Sequence, residues 1–289
     1  QAEDGIRDLI VTGVQTCALP IYRLFTTIHL VTLALLQGLT EFLPISSSGH
    51  LVLLPILTGW PDHGLVYDVA AHFGTLFAVV YYFRKDLAVL SKAWFASINA
   101  GEQSIHTRTA WGIIWATVPV CVVGFLARDF ISENLRSPLV IAATTIIFGI
   151  VLWLSDYLGR RNRTLDHLRI PDVGIIGFAQ ALALIPGTSR SGITMSAALL
   201  LGLSRESAAR FSFLLAIPVI SLAALYESWH LFSSDMSIDW TGLAIVTIGS
   251  ALSALACIVI FLKFIESIGF SLFVVYRMIL GGVLLYLFL

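Results

Sequence analysis

Between Gln37 and His50 the chain gathers a carboxylate, a run of hydroxyls and an imidazole in the stretch QGLTEFLPISSSGH. Gln37 and Glu41 are four residues apart, which on a helix sets both on one face. Their oxygens suit a divalent cation, and Glu41 alone suits a base. Pro44 should end that helix, because its ring disfavours helical geometry at the residue before it. Ser46, Ser47, Ser48 and Gly49 then supply hydroxyls and a turn before a second short helix, whose exposed first amides favour an anion. His50 is close enough in sequence to exchange a proton with one of those hydroxyls, the pairing that activates a serine nucleophile. Plainer readings stay open at this point: a Ser-rich helix cap, a histidine bonded to a backbone carbonyl, and a glutamate paired inside a helix bundle.

A second run, PGTSRSGIT from Pro186 to Thr194, surrounds Arg190 with Gly187, Thr188, Ser189, Ser191, Gly192 and Thr194. A planar, permanently charged fork among hydroxyl and amide donors suits a cluster of phosphate oxygens. The structural alternative is an Arg190–Glu41 pair. Without gaps, Gln37–His50 lies over Gln180–Ile193 at an offset of 143 residues, with Gln37/Gln180, Leu39/Leu182, Ser46/Ser189, Ser48/Ser191 and Gly49/Gly192 identical. Further on, AAHFGTLFAVV from Ala70 resembles AARFSFLLAIP from Ala208 at an offset of 138. The repetition divides the work: one loop holds hydroxyl nucleophile and carboxylate, while its counterpart puts Arg190 where the first has Ser47.

These groups are embedded in a membrane protein. Of 289 residues, 57% are hydrophobic and 12% charged, with mean hydropathy +0.89; soluble domains are about 25% charged. A net charge of -1 offers no basic field for nucleic acid, which is not an expected partner. Six stretches, near 66–83, 110–127, 138–155, 208–226, 241–262 and 271–289, are long and apolar enough to approach or cross a bilayer. Four shorter ones, near 24–39, 49–60, 173–185 and 193–203, flank the two polar loops in pairs and read as two re-entrant helical hairpins. The expected fold is all-α and polytopic: an inverted repeat with halves near 24–155 and 173–289, in a single domain over 22–289. Arg84, Lys85, Lys92, Arg108, Arg160, Arg161, Arg163, Arg169, Arg205 and Lys263 fall on alternate loops, against Arg23, Arg128 and Arg136 opposite. That bias sets the first hairpin entering from outside and the second from the cytoplasm, their tips meeting in the membrane.

Residues 1–21 resemble the in-frame translation of a sequencing-library adapter and are read as foreign to the protein. Cys17 falls in this segment, and Cys121 and Cys257 read as packing thiols. His72 and Arg210 correspond in the repeat and are expected to make packing or headgroup contacts. Arg277, deep in the last span, is expected to pair with a carboxylate.

QGLTEFLPISSSGHLVL and LIPGTSRSGITMSAALLLGLSRESAARFSFLLAIP together resemble the two signature regions of the bacterial undecaprenyl-diphosphate phosphatases, the bacitracin-resistance family. The likeness runs from about residue 24 to the C-terminus. It implies hydrolysis of a polyprenyl diphosphate to its monophosphate at the outer face of the bacterial cytoplasmic membrane, in a fold of interdigitated inverted repeats. It also implies dependence on a divalent cation, Mg or Ca, held by Glu41 with Gln37, a position where the family often carries a second glutamate. Ser47 as nucleophile, His50 as proton carrier, and Arg190 with Thr188, Ser189 and Ser191 on the phosphates complete the implied site. A homodimer is compatible with the sequence. The competing class is a polyprenyl-phosphate transporter or flippase, which inverted repeats with broken helices also build; such a protein needs an anion site but no adjacent serine and histidine.

Overall fold

A computed structural model describes residues 27–60, 64–232 and 239–289, so the adapter-like segment lies outside the described residues. Eleven α-helices make up nearly all of them, and no strand is present among them. Six helices are long and apolar enough to cross a bilayer: α3 (Leu65–Tyr82), α5 (Ile105–Asn134), α6 (Pro138–Leu158), α9 (Arg205–Phe232), α10 (Trp240–Ile268) and α11 (Ser271–Phe288). The chain is a multi-pass membrane protein. Four short helices, α1 (Thr27–Phe42), α2 (Ser47–Thr58), α7 (Ile170–Ala181) and α8 (Arg190–Leu200), flank the two polar loops. The remaining helix, α4 (Arg84–Ala100), was not expected. It carries Arg84, Lys85, Asp86 and Lys92 beside Trp94 and Phe95, so hydropathy reads it as a loop, whereas a helix of this composition suits a membrane surface.

The short helices are seated by close backbone approach. A Cβ on Gly38 in α1 would come 2.7 Å from the Ser250 carbonyl oxygen and 2.8 Å from the Ala254 nitrogen of α10. One on Gly177 in α7 would come 2.8 Å from the Ala116 Cα of α5. Small residues thus let α1 and α7 lie against long helices, the packing that membranes favour where apolar burial drives nothing. α3 packs on α10 and α6 on α11, and a cluster of buried apolar residues, including Phe42, Phe83, Phe211, Phe213 and Phe261, fills the centre.

The ends of these pairs are tied. His29 near the start of α1 stacks on Trp60, just beyond the end of α2, with ring centroids 3.9 Å apart. Arg163 donates to the Asp172 carboxylate at the start of α7 and, over 2.7 Å, to the Leu201 carbonyl past the end of α8. At that same end of the bundle Arg205 holds Asp156 through two hydrogen bonds, 2.7 and 2.9 Å, and Arg210 holds Asp86 at 2.7 Å. Several of the basic loop residues counted above therefore gather on one end.

Candidate active site

Each polar loop ends in a serine that caps the helix after it, and the two caps are nearly superimposable in kind. Ser46 has φ 75° and ψ 91°, and its hydroxyl accepts the Gly49 N–H; Ser189 has φ 73° and ψ 113°, and its hydroxyl accepts the Gly192 N–H. Positive φ is costly for a residue with a Cβ, about 1–3 kcal/mol, and persists where the surroundings over-determine it. Ser46 also meets Ser48 at 3.4 Å, and Ser189 meets Ser191 at 3.1 Å. The first amides of α2 and α8, which helix geometry leaves over, start from these twin caps.

The loop tips touch. Ser191 Oγ donates to the Leu43 carbonyl across 2.8 Å. Arg190 Nη2 donates to Glu41 Oε1 at 3.0 Å, and its Nη1 to the Ser212 carbonyl at 2.9 Å. Glu41 Oε2 accepts Ser47 Oγ at 2.6 Å and Gln37 Nε2 at 3.0 Å. The carboxylate is thus charge-paired on one oxygen and doubly hydrogen-bonded on the other, and only 7% of the residue is exposed. A buried carboxylate survives only when so partnered. Glu41, Ser46, Ser47, Ser48, Ser189 and Arg190 line one cavity of about 170 Å³. His72, Ser48 and Ala223 line both it and a second cavity of about 580 Å³, whose wall includes Leu33, Leu51, Leu54 and Val69. A recess holding the hydroxyls, carboxylate and guanidinium therefore adjoins a roomier cavity whose wall combines these apolar side chains with Asp68, Arg136 and Glu227.

Comparison with known proteins bears on what this arrangement serves. A family model described as "Bacitracin resistance protein BacA" matches residues 30–283. The chain belongs to the BacA family. It is 53% identical over 264 residues to "Undecaprenyl-diphosphatase 2" of Stutzerimonas stutzeri (strain A1501), covering 90% of this chain and 98% of that protein. "Undecaprenyl-diphosphatase" of Nitrosococcus oceani is 53% identical over 261 residues, covering 90% and 98%, and that of Hahella chejuensis 53% over 264 residues, covering 91% and 99%.

Several sequence expectations change within this BacA-family fold. His50 does not face Ser47: its Nδ1 donates to the Ser46 carbonyl at 2.7 Å and its Nε2 meets the Tyr276 hydroxyl at 2.6 Å, with the two rings stacked. Both nitrogens are committed, because the ring reaches back one helical turn and then across to α11. His72, expected to make packing or headgroup contacts, is the imidazole at the site. Its Nδ1 donates to the Asp68 carbonyl at 2.7 Å, leaving Nε2 directed inward, 4.0 Å from Glu41 Oε2. An ionisable residue inside an apolar span was the available signal. Arg210, matched with His72 in the sequence comparison of the two halves, makes packing contacts as expected, lying 5.5 Å over the Phe83 ring and bonded to Asp86.

Among the expected phosphate donors, Thr188, Ser191, Thr194, Gly187 and Gly192 stand behind the cavity. Thr194 Oγ1 meets Ser212 Oγ at 2.8 Å, and Thr188 Oγ1 is buried with no hydrogen-bond partner, as are Gln37 Oε1 and Gln180 Oε1. Among the described residues Arg277 has no carboxylate partner; its guanidinium donates to backbone carbonyls.

For the implied divalent cation the site offers few protein oxygens: Gln37 Oε1, buried and unpartnered beside Glu41, is the free one. Glu41 is the one carboxylate on the smaller cavity, and Arg190, Ser47 and Gln37 already occupy its two oxygens. Among the described residues no three His, Cys, Asp or Glu side chains cluster. A hard cation completes its six or more oxygen ligands with waters and substrate phosphates, so Glu41 and Gln37 would be its protein ligands and the diphosphate would have to supply the rest.

Proposed function

We propose that this chain is a membrane-embedded phosphatase that hydrolyses undecaprenyl diphosphate to the monophosphate and inorganic phosphate, returning the lipid carrier to cell-wall synthesis and conferring resistance to bacitracin. The observation that carries the reading is the chain Arg190–Glu41–Ser47 at the wall of a polar cavity, where two helix N-termini begin beside it. Relatives about half identical over nearly their full length are named for that activity, which favours hydrolysis over lipid transport.

Each group has one task in this proposal. Arg190 and the first amides of α2 and α8 bind the oxygens of the terminal phosphate. Glu41 accepts the Ser47 proton as the Oγ–P bond forms, the bridging P–O bond breaks, and the lipid monophosphate departs with its electron pair. Glu41 passes that proton to the departing phosphate. Water then attacks the phosphoserine; Glu41 takes a proton from it and returns one to Ser47 Oγ as inorganic phosphate leaves. Such transfers depend chiefly on positioning and charge stabilisation, which is why the guanidinium matters as much as the nucleophile. The isoprenoid tail lies along the Leu33, Leu51, Leu54 and Val69 side of the larger cavity and continues between helices into lipid.

The two loops are read as tips of re-entrant hairpins entering from opposite faces of an inverted repeat in the bacterial cytoplasmic membrane, with the site open to the outer face. The paired short helices, their tied ends and the basic residues gathered at one end support this.

Phosphate release from a polyprenyl diphosphate by purified protein in detergent tests the function. Wild-type protein should release phosphate, Ser47→Ala should be slower by about 10³-fold or more, and acid quenching should trap phosphate on Ser47, mapped by mass spectrometry. Near-wild-type turnover by Ser47→Ala would overturn the serine mechanism.

A further inference from the structure

Arg277 is the largest side chain wholly buried in the described residues, and the reaction proposed above does not use it. Its five guanidinium hydrogens go to backbone oxygens of three separate segments. Nη1 donates to Pro44 of the first loop and Thr188 of the second, both at 3.1 Å. Nη2 donates to Gly187 at 2.9 Å and Thr144 at 3.4 Å, and Nε to Thr145 at 3.0 Å. A single nitrogen thus spans the two loops, and the second loop is further held to α6 by Thr144 Oγ1, which donates to the Pro186 carbonyl at 2.6 Å.

We propose that Arg277 is a positioning residue for phosphoryl transfer: its planar fork fixes the two loop tips in register, so that Ser47 on one and Arg190 on the other face the same phosphate. The argument is geometric. Loop carbonyls outside a helix need donors, and a cation buried without a carboxylate needs several oxygen dipoles around it. Meeting both needs with one rigid fork leaves the loops little freedom to slide. Drawing the carbonyls toward α11 also turns the opposite faces of the loops, with their hydroxyls, toward the cavity. Lysine keeps the charge but not the fork, so it separates registration from simple electrostatics.

The inference rests on the phosphatase reading. Arg277→Lys and Gly149→Ala are to be purified in detergent and compared with wild type and Ser47→Ala for kcat, KM and thermal stability. Gly149→Ala crowds the fork while keeping it: the added Cβ would lie 2.5 Å from Met278 Cε, a flexible end that can give, and 3.2 Å from Arg277 Cβ, which must shift by a few tenths of an ångström. Expected are a kcat loss of about 30-fold or more for Arg277→Lys and about 3- to 10-fold for Gly149→Ala, with KM within about threefold for both, as follows from misplacing reactive groups by fractions of an ångström. Wild-type kcat in Arg277→Lys, a loss carried wholly by KM, or a silent Gly149→Ala beside an unfolded Arg277→Lys would each overturn it. Ser47→Ala retaining activity would instead overturn the reading on which the inference rests, a distinct result.

Discussion

The loop from Leu43 to Gly49 and the loop from Pro186 to Gly192 share a backbone and differ in chemistry. Both reach a serine at φ near 75°, both cap a short helix with that serine's hydroxyl, and both pair it with the serine two residues on. Between those serines the first loop has Ser47 and the second has Arg190. The shared part is what a chain needs to turn within a helix bundle and present free amides; the divergent position is what a phosphate needs from two sides. The two loops thus agree where the cap is made, at Ser46/Ser189, Ser48/Ser191 and Gly49/Gly192, and differ between those serines, where one carries a hydroxyl and the other a guanidinium.

Four measurements press on that comparison, from the largest effect to the smallest. Arg190→Lys should lower kcat by about 10²–10³-fold, the scale on which one preorganised donor acts. A loss under tenfold would mean the second loop contributes shape rather than its fork. Next, the two imidazoles should separate: His72→Gln is expected to slow turnover by about tenfold, because its Nε2 lies 4.0 Å from the Glu41 carboxylate that carries the proton, and His50→Gln by less than about threefold, since His50 only braces Ser46 and Tyr276. Reversal of that order would restore His50 to the proton path. Third, Ser46→Gly and Ser189→Gly relieve the same positive φ and lose the same cap. Their stability changes, measured by thermal or denaturant unfolding in detergent, should agree within about 0.5 kcal/mol, because glycine at a cap costs only a few tenths against about 1–3 kcal/mol of relieved strain. Unequal changes would show that the twin geometry is held by different means. Last, chelator should move the thermal midpoint of the substrate-free protein by less than about 1 °C, because a resident metal would add binding energy to folding and Glu41 is already neutralised by Arg190.

Much of this architecture was readable from apolar run lengths. The six spans, the break after Leu43 and the meeting of the two loops follow from length, proline and the charge bias of the connections, all local or additive signals. α4 escaped because its polar face averages away its apolar one. At the site, the likeness of the two loops set Ser47 against Arg190, while the Arg190–Glu41 pair that the structure shows was legible only as the plainer alternative to a phosphate role. His50 misled because nearness in sequence is not orientation: a ring one turn into α2 found the Ser46 carbonyl first. Arg277 was misread for a different reason. Its acceptors are peptide carbonyls, which every residue carries, so no side-chain pattern announces them.

The position of Arg277 also bears on how the protein is made. Synthesis proceeds from the N-terminus and segments fold as they emerge, so both loops are in the bilayer well before α11 leaves the ribosome. Until that last helix inserts, the Pro44, Gly187 and Thr188 carbonyls lack their shared donor. A chain cut short before Arg277 would hold every reactive residue of the proposed site and still be unfinished. With Arg277 registering the loops as proposed, the order of synthesis makes the final helix the piece that completes the site.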